Sequence, residues 1–320
     1  MAAPPVDLVV VHRDRPEAAL GTVDAFLAQS VVPRVVVVDN GSSPAAVDRL
    51  RTGLPPDVAV LEAGTNTGFG PGANIGFRWC LAHDPAPWLA VCPHDARPLD
   101  GCVERLLEVT GAQPRAGLAS ADVGDGLTPI VDRYFGAIPA PATVEVGWEP
   151  AGYPHGTLML ARRDCLEDVG LFDERYFAYC EEAELALRAR ERGWEVGVVR
   201  GAEVRNPDVG SNADVVDYLQ LRNTLLMVRE HSGLYHATIR LIIALWQLGA
   251  GLLLPTHRSP YWAPRARVMA IADFLRGRYG PPPPELFGPE LPAGPGPDAP
   301  ERSRTRPDSA ASISGRTRIR

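Results

Sequence analysis

The chain has 320 residues, 45% hydrophobic and 7% aromatic, which suits one large domain or two small ones with a sizeable core. Its net charge of −7 argues against general nucleic-acid binding, which needs a basic excess. All 32 basic residues are Arg, so chemistry that needs an amine is excluded: a Schiff-base lysine, the Walker-A lysine, the strand lysine of protein kinases.

The N-terminus, Met1-Ala2-Ala3-Pro4-Pro5, runs straight into a strand-like Val6–Val11 without a basic region and a removable apolar segment, so no signal peptide is expected. Leu8–Val11, Val35–Val38, Val58–Leu61, Trp88–Cys92 and Gly117–Ala121 read as buried strands, and helix starters such as Pro16, Pro44 and Asp100 open the segments between them. This β-α-β alternation predicts an α/β fold, a mostly parallel sheet with helices on both faces. Sites in such sheets collect at the carboxyl ends of the strands, which draws attention to His12, Arg13, Asp39, Asn40 and Asp95. Residues 123–160, rich in Pro and Gly, read as irregular loops and hairpins forming one wall of a cleft. A strand (Thr157–Ala161), an acidic helix (Glu181–Arg192), a strand (Glu195–Val199) and a helix over 214–231 follow. Residues 234–279 become helical, apolar and basic, and the tail beyond Pro281, with ten prolines in forty residues, is expected to be disordered. Cys80, Cys92, Cys102, Cys165 and Cys180 form no CxxC pair and read as reduced cysteines of a cytosolic protein.

Four motifs can carry chemistry. In Val35-Val-Val-Val-Asp39-Asn40-Gly41-Ser42-Ser43 a strand ends in a carboxylate over the open edge of the sheet, where it can accept from a ribose hydroxyl or a pyrimidine N–H; a plain Asx-type turn explains it equally well. A dinucleotide site would need GxGxxG after the first strand, and His12-Arg13-Asp14-Arg15-Pro16 stands there instead. The second motif, Asn66-Thr-Gly68-Phe-Gly70-Pro-Gly72-Ala-Asn74-Ile-Gly76, opens a helix with glycines that permit close approach to a phosphate or sugar, or simply make a tight turn. In the third, Cys92-Pro93-His94-Asp95-Ala96-Arg97-Pro98, the carboxylate can hold a hard divalent cation against a diphosphate, or cap a turn. The fourth runs from Gly156 through Phe172-Asp173-Glu174 and Tyr176-Phe-Ala-Tyr179-Cys180 to Glu181-Glu182-Ala183-Glu184. Its glutamates suit a helix N-terminus, and neighbouring carboxylates also raise one another's pKa and fit one of them for general-base work.

Together, in this order, the motifs resemble those of a family 2 glycosyltransferase of the GT-A fold, closest to bacterial rhamnosyltransferase-like members, from about Val6 to Asn223. The resemblance implies a Rossmann-like mixed sheet as the GT-A domain over 1–232; the chain's own composition adds a helical extension over 233–280 and a disordered tail over 281–320. It implies that Asp39 binds the nucleotide, with His12 and Arg13 beside the base, and that Asn66, Gly68, Gly72 and Asn74 lie against the nucleotide sugar. Asp95 would hold Mg²⁺ or Mn²⁺ on the diphosphate. Glu182 would be the base for the acceptor hydroxyl, Glu181 would stand on the acceptor side, and Tyr218-Leu-Gln-Leu-Arg222-Asn223 would match a later family element. Arg97 and Arg222 are further candidate anion contacts. Two positions depart from the family pattern: Pro93 replaces an acid or Asn two residues before Asp95, and Val204-Arg205-Asn206-Pro207 lacks a later His.

The expected activity is inverting transfer of a sugar from dTDP-rhamnose or a UDP-sugar to a glycan or lipid-linked hydroxyl in envelope polysaccharide synthesis. A non-catalytic relative that binds a nucleotide sugar or a partner enzyme, and a nucleotidyltransferase, are the rivals; the latter lacks its basic Gly-rich loop here. Residues 231–280 carry six arginines against Asp273 alone, +5 within a protein of −7, around the uncharged run Leu241–Pro255. That composition fits a peripheral seat on the cytoplasmic face of an anionic plasma membrane; packing on the GT-A domain or a homodimer interface explains it too.

Overall fold

The computed structural model describes residues 5–83, 86–206 and 212–287, and the chain up to Phe287 forms one compact unit. Its spine is a nine-stranded mixed sheet. β1 (Val6–His12) is buried along its whole length. It pairs in parallel with β2 (Arg34–Asp39) on one side and β4 (Trp88–Pro93) on the other, and β3 (Ala59–Glu62) lies outside β2. The apolar, β-branched runs that read as buried strands are these strands, each extended or shifted by a residue or two, although β3, at the sheet edge, is only half-buried. β10 (Met159–Arg162) inserts antiparallel between β4 and β6 (Ala116–Asp122). β11 (Glu195–Arg205) then runs parallel to β6 and carries β5 (Arg97–Pro98) and β9 (Gly147–Pro150) antiparallel along its length.

Helices α1 (Pro16–Leu27), α2 (Pro44–Gly53), α3 (Phe69–Ala82), α4 (Cys102–Gly111), α5 (Arg163–Val169) and α6 (Glu181–Glu191) connect these strands. Two apolar clusters sandwich the sheet: Leu8, Val10, Val37 and Phe26 on one face, Val9, Val36, Phe77 and Leu185 on the other. The chain steps outward from β1 through β2 to β3, then returns to start β4 on the opposite side of β1. This reversal opens a crevice outside the carboxyl ends of β1 and β4, where open α/β sheets place their ligands.

Residues 123–160 are more ordered than loops. β7 (Leu127–Asp132) and β8 (Gly136–Pro141) form a hairpin, and β9 joins the main sheet. The buried Arg200 guanidinium clamps this region, bonding Glu149 at 2.6 Å, Asp122 at 2.9 Å and the Thr128 hydroxyl at 2.8 Å. Arg97 lies among Thr22, the Ala96 carbonyl and the Ala18 carbonyl, a structural placement rather than an anion contact.

α7 (Ala213–Leu253) is a 41-residue helix bent at Gly233, whose φ of 84° and ψ of 172° are not helical. The expected boundary between domain and extension falls on this bend, inside one continuous element. Its first arm, up to residue 232, is buried in the domain; the second begins at residue 234. α8 (Pro264–Arg276) folds back and shares a cluster with both, joining Ala266, Ala270 and Phe274 to Tyr218, Leu225 and Ala244. Of the residues assigned to the tail, 281–287 are described; Pro282 and Leu286 are buried, and the Leu286 carbonyl accepts from Asn212 at 3.0 Å. The rest of the expected tail, residues 288–320, lies outside the described residues.

Candidate active site

Four segments meet at the crevice. From β1 comes His12, fully buried, 3.8 Å from Asp39 at the end of β2. Burial, reinforced by His94, lowers the His12 pKa to about 4, so the imidazole is neutral. The two Asp39 oxygens divide the readings open in the sequence. Oδ2 accepts from the Ser42 N–H at 3.2 Å, which is the turn; Oδ1 is buried with no hydrogen-bond partner, as is His12 Nδ1. Two unpartnered polar atoms at the switch point leave an acceptor and a ring nitrogen for a ligand. Arg13 is half exposed beside Asp14, and Asp14 bonds the Ser43 N–H at 2.8 Å, tying the first loop to the second.

The Gly-rich loop is shaped mainly by protein. Asn40 is its buckle: Oδ1 accepts from Thr67 N–H at 2.9 Å, and Nδ2 donates to the Gly68 carbonyl at 2.9 Å. Asn66 Oδ1 accepts from the Gly68 N–H at 3.1 Å, and Asn74 exchanges bonds with both backbone groups of Phe172, at 2.9 and 3.0 Å. Both asparagines therefore brace the loop. A side chain at Gly68, which has a φ of +94°, would strike the Phe177 carbonyl, and one at Gly72 would press on Val11 and Asn40. These glycines let α3 abut the strands and the Phe177 segment.

Asp95 stands in the tight turn between β4 and β5, and is buried. Nearby, the His12 and His94 rings lie edge-on at 5.9 Å. Among the described residues no three of His, Cys, Asp and Glu converge into a ready-made metal cage. Asn206 Oδ1, however, is buried without a partner. Arg205, the residue before it, pairs opposite Arg97, two residues after Asp95. One carboxylate and one spare amide oxygen fit a hard cation shared with substrate phosphates, the way Mg²⁺ is commonly held.

The fourth segment carries the glutamates. Phe177 adopts φ 66° and ψ −63°, a γ-turn closed by Ala178 N–H to the Tyr176 carbonyl at 2.8 Å, and Tyr179 and Cys180 also have positive φ. Such strain persists only where surroundings enforce it. Asn223, fully buried on α7, does so: its amide nitrogen lies 2.8 Å from each of the Tyr176, Ala178 and Tyr179 carbonyls. Arg222 is spent inside, bonding Asn223 Oδ1 and the Tyr218 hydroxyl, so it is no anion contact.

The contorted segment delivers Glu181 and Glu182 to the α6 N-terminus. Glu181 is buried against Gly70 with Oε2 unpartnered, and burial together with Glu182 raises its pKa well above the usual range. Burial raises Glu182 to about 7, and its Oε1 rests over Gly156, where even a methyl group would collide with it. Glu184 differs: Arg188 at 2.7 Å and His231 at 3.4 Å hold it ionised and structural. Tyr153, which sequence reasoning passed over, joins the pair; burial and the Glu182 carboxylate raise its phenol. Nothing in its local sequence signals this, because the hairpin region brings it there.

A switch-point crevice with spare acceptors on one side and a carboxylate pair of raised pKa on the other defines a glycosyltransferase of the GT-A fold. The Glycosyl transferase family 2 model matches residues 7–170. The chain belongs to glycosyl transferase family 2. It is 27% identical over 280 residues to the N-acetylglucosaminyl-diphospho-decaprenol L-rhamnosyltransferase of Mycobacterium tuberculosis, covering 75% of this chain and 88% of that one. It is 26% identical over 239 residues to a low-salt glycan biosynthesis hexosyltransferase of Haloferax volcanii, covering 68% and 76% respectively. Among solved structures, the fold resembles the mannosyltransferase from Pyrobaculum calidifontis in complex with GDP-Man and Mn²⁺, with a TM-score of 0.56, 16% identity, and coverage of 87% of this chain and 89% of that one.

Proposed function

We propose that this glycosyltransferase inverts configuration as it moves a sugar, rhamnose from dTDP-rhamnose or the sugar of a UDP-sugar, to a hydroxyl of a lipid-linked glycan in envelope synthesis. The observation that carries the reading is the Glu181–Glu182 pair. Two adjoining carboxylates, Glu181 buried and Glu182 half-buried, are both raised, so Glu181 keeps its proton and Glu182 releases one at about pH 7. Glu182 is then a base matched to working pH, taking the proton of the acceptor hydroxyl as its oxygen attacks the anomeric carbon. Protonated Glu181, on the acceptor side, donates to a neighbouring sugar hydroxyl.

Asp39 Oδ1 and neutral His12 receive the nucleotide, with Arg13 at the rim. Asn66, Gly68, Gly72 and Asn74 hold the wall against which the donor sugar lies. Asp95 and Asn206 would hold Mg²⁺ or Mn²⁺, which when bound neutralises the diphosphate leaving group. Support for the donor class and the lipid-linked acceptor comes from the named activity of the mycobacterial relative. The apolar second arm of α7, with four exposed arginines at 258, 265, 276 and 278, supports a peripheral seat on an anionic membrane where such an acceptor resides.

The test is Glu182→Gln. Donor affinity by calorimetry is expected to stay, transfer to fall about 10²–10⁴-fold, and the rise of rate with pH through about 7 to disappear. Glu184→Gln should instead lower the melting temperature, since it strands Arg188. Equal losses of rate and stability at positions 181, 182 and 184 would return the acidic run to a helix-capping role.

A further inference from the structure

Among the described residues four arginines are deeply buried, and three of them are paired. Arg200 meets Glu149 and Asp122, Arg222 meets Asn223 and Tyr218, and Arg267 meets Asp217 at 2.8 Å. Arg240 differs. It is 8% exposed, and neither Nε nor Nη1 has a hydrogen-bond partner among the described residues. Burying a cation without an anion costs several kcal/mol, so a fold that keeps one is holding a place for a negative charge.

Its position says which charge. Arg240 lies on the inner face of the second arm of α7, between the small, buried Ala237 and Ala244 one turn either way. The arm packs beside the Phe177–Tyr179 segment. Arg240 is within electrostatic reach of Cys180, the residue that precedes the glutamate pair, and of Arg267. Burial and the Arg267 charge lower its pKa to about 10, so it remains a cation at neutral pH. A guanidinium fork is the group that grips phosphate oxygens in pairs.

Building on the glycosyltransferase reading, we infer that Arg240 is an anion-binding residue that takes a diphosphate at the α7 side of the cleft. Two sources share that chemistry: the nucleoside diphosphate of the donor, and the prenyl diphosphate of a lipid-linked acceptor.

Calorimetry on the full chain with inorganic pyrophosphate, UDP and farnesyl diphosphate, using wild type, Arg240→Met and Arg240→Lys, tests it. Arg240→Met is expected to weaken pyrophosphate binding about 10–100-fold, the usual worth of a charged hydrogen bond. Its melting temperature should hold or rise, because an uncompensated charge leaves the interior, and Arg240→Lys should recover much of the affinity. A parallel loss for UDP identifies the donor; a loss confined to farnesyl diphosphate identifies the acceptor. Wild-type affinity of Arg240→Met for all three probes overturns the inference while leaving the glycosyltransferase reading intact. So does a lower melting temperature with equal losses in both variants, which marks a structural arginine. A folded wild type that binds none of the three probes also overturns the inference, and the glycosyltransferase reading falls with it only if dTDP is not bound either.

Discussion

Glu182 shows how a fold sets the chemistry of one side chain by choosing its neighbour. Gly156 leaves the space that Glu182 Oε1 occupies, and no other residue type would. Gly156 does not have a positive φ, so alanine is conformationally acceptable there; its methyl simply displaces the carboxylate. Gly156→Ala is therefore expected to fold with a melting temperature near wild type and to lose about 10–100-fold in transfer, since misplacing a catalytic group by about 1 Å costs on that order. Donor affinity should be unchanged. A variant with full transfer would show that the carboxylate finds an equally good seat, and that its position over Gly156 is incidental.

At the scale of elements, the site depends on a strained segment and the helix that restrains it. The γ-turn at Phe177 is unfavourable in isolation, and three carbonyls of the turn converge on one Asn223 amide. Asn223→Ala removes the donor and leaves buried carbonyls unpaired, which costs about 1–3 kcal/mol. Its expected signature is a lower melting temperature together with a fall in kcat, because Glu181 and Glu182 follow directly on the turn. A drop in stability with kcat intact would separate the turn from the chemistry. Much of this was legible beforehand. The strands announce themselves as β-branched runs, and His12, Asp39 and Asp95 sit at strand ends that any parallel sheet turns into a site. Asn223 could be matched to a family element, yet its work could not be read, because it bonds residues 44 to 47 positions away. Hairpins were expected over 123–160, yet the bounds of β7 and β8 and the pairing of β9 with the main sheet were hidden for another reason. These strands are short and carry Pro and Gly, so their alternation is too brief to register, and the Arg200 clamp that orders them is a tertiary feature.

Across the whole molecule, the second arm of α7 stays apolar where it faces outward: Leu234 is 75% exposed, Trp246 64% and Leu253 81%. The whole helix carries an apolar stretch long enough by length and composition to cross a membrane, although only 22% of that stretch is buried. The positive charge read from the sequence is divided by the fold, since Arg240 and Arg267 turn inward and four arginines remain exposed. Full-length protein should sediment with anionic vesicles at low salt and release as salt rises. Leu245→Glu combined with Trp246→Glu should abolish sedimentation with the melting temperature unchanged. Truncation near residue 233 is a poor test, because it would open the Asp217–Arg267 and Tyr218–Asp273 bonds inside the domain. Wild type that ignores such vesicles but forms dimers lost in the same double variant would make this face a contact between copies.

The bend at Gly233 has a mechanical meaning. The two arms of α7 and α8 are three rods joined at three places: the glycine itself, the polar bonds of Asp217 and Tyr218 to α8, and the stacking of Trp262 on Gly251 just ahead of α8. Rods pinned in a triangle make a truss, whose angles hold under load, and the apolar cluster of Tyr218, Leu225 and Ala244 with Ala266, Ala270 and Phe274 braces the joints. The pitch of the outer rod relative to the carboxylate pair is thus fixed by pins and packing together, with Ala244 seated against α8 and Gly251 against Trp262.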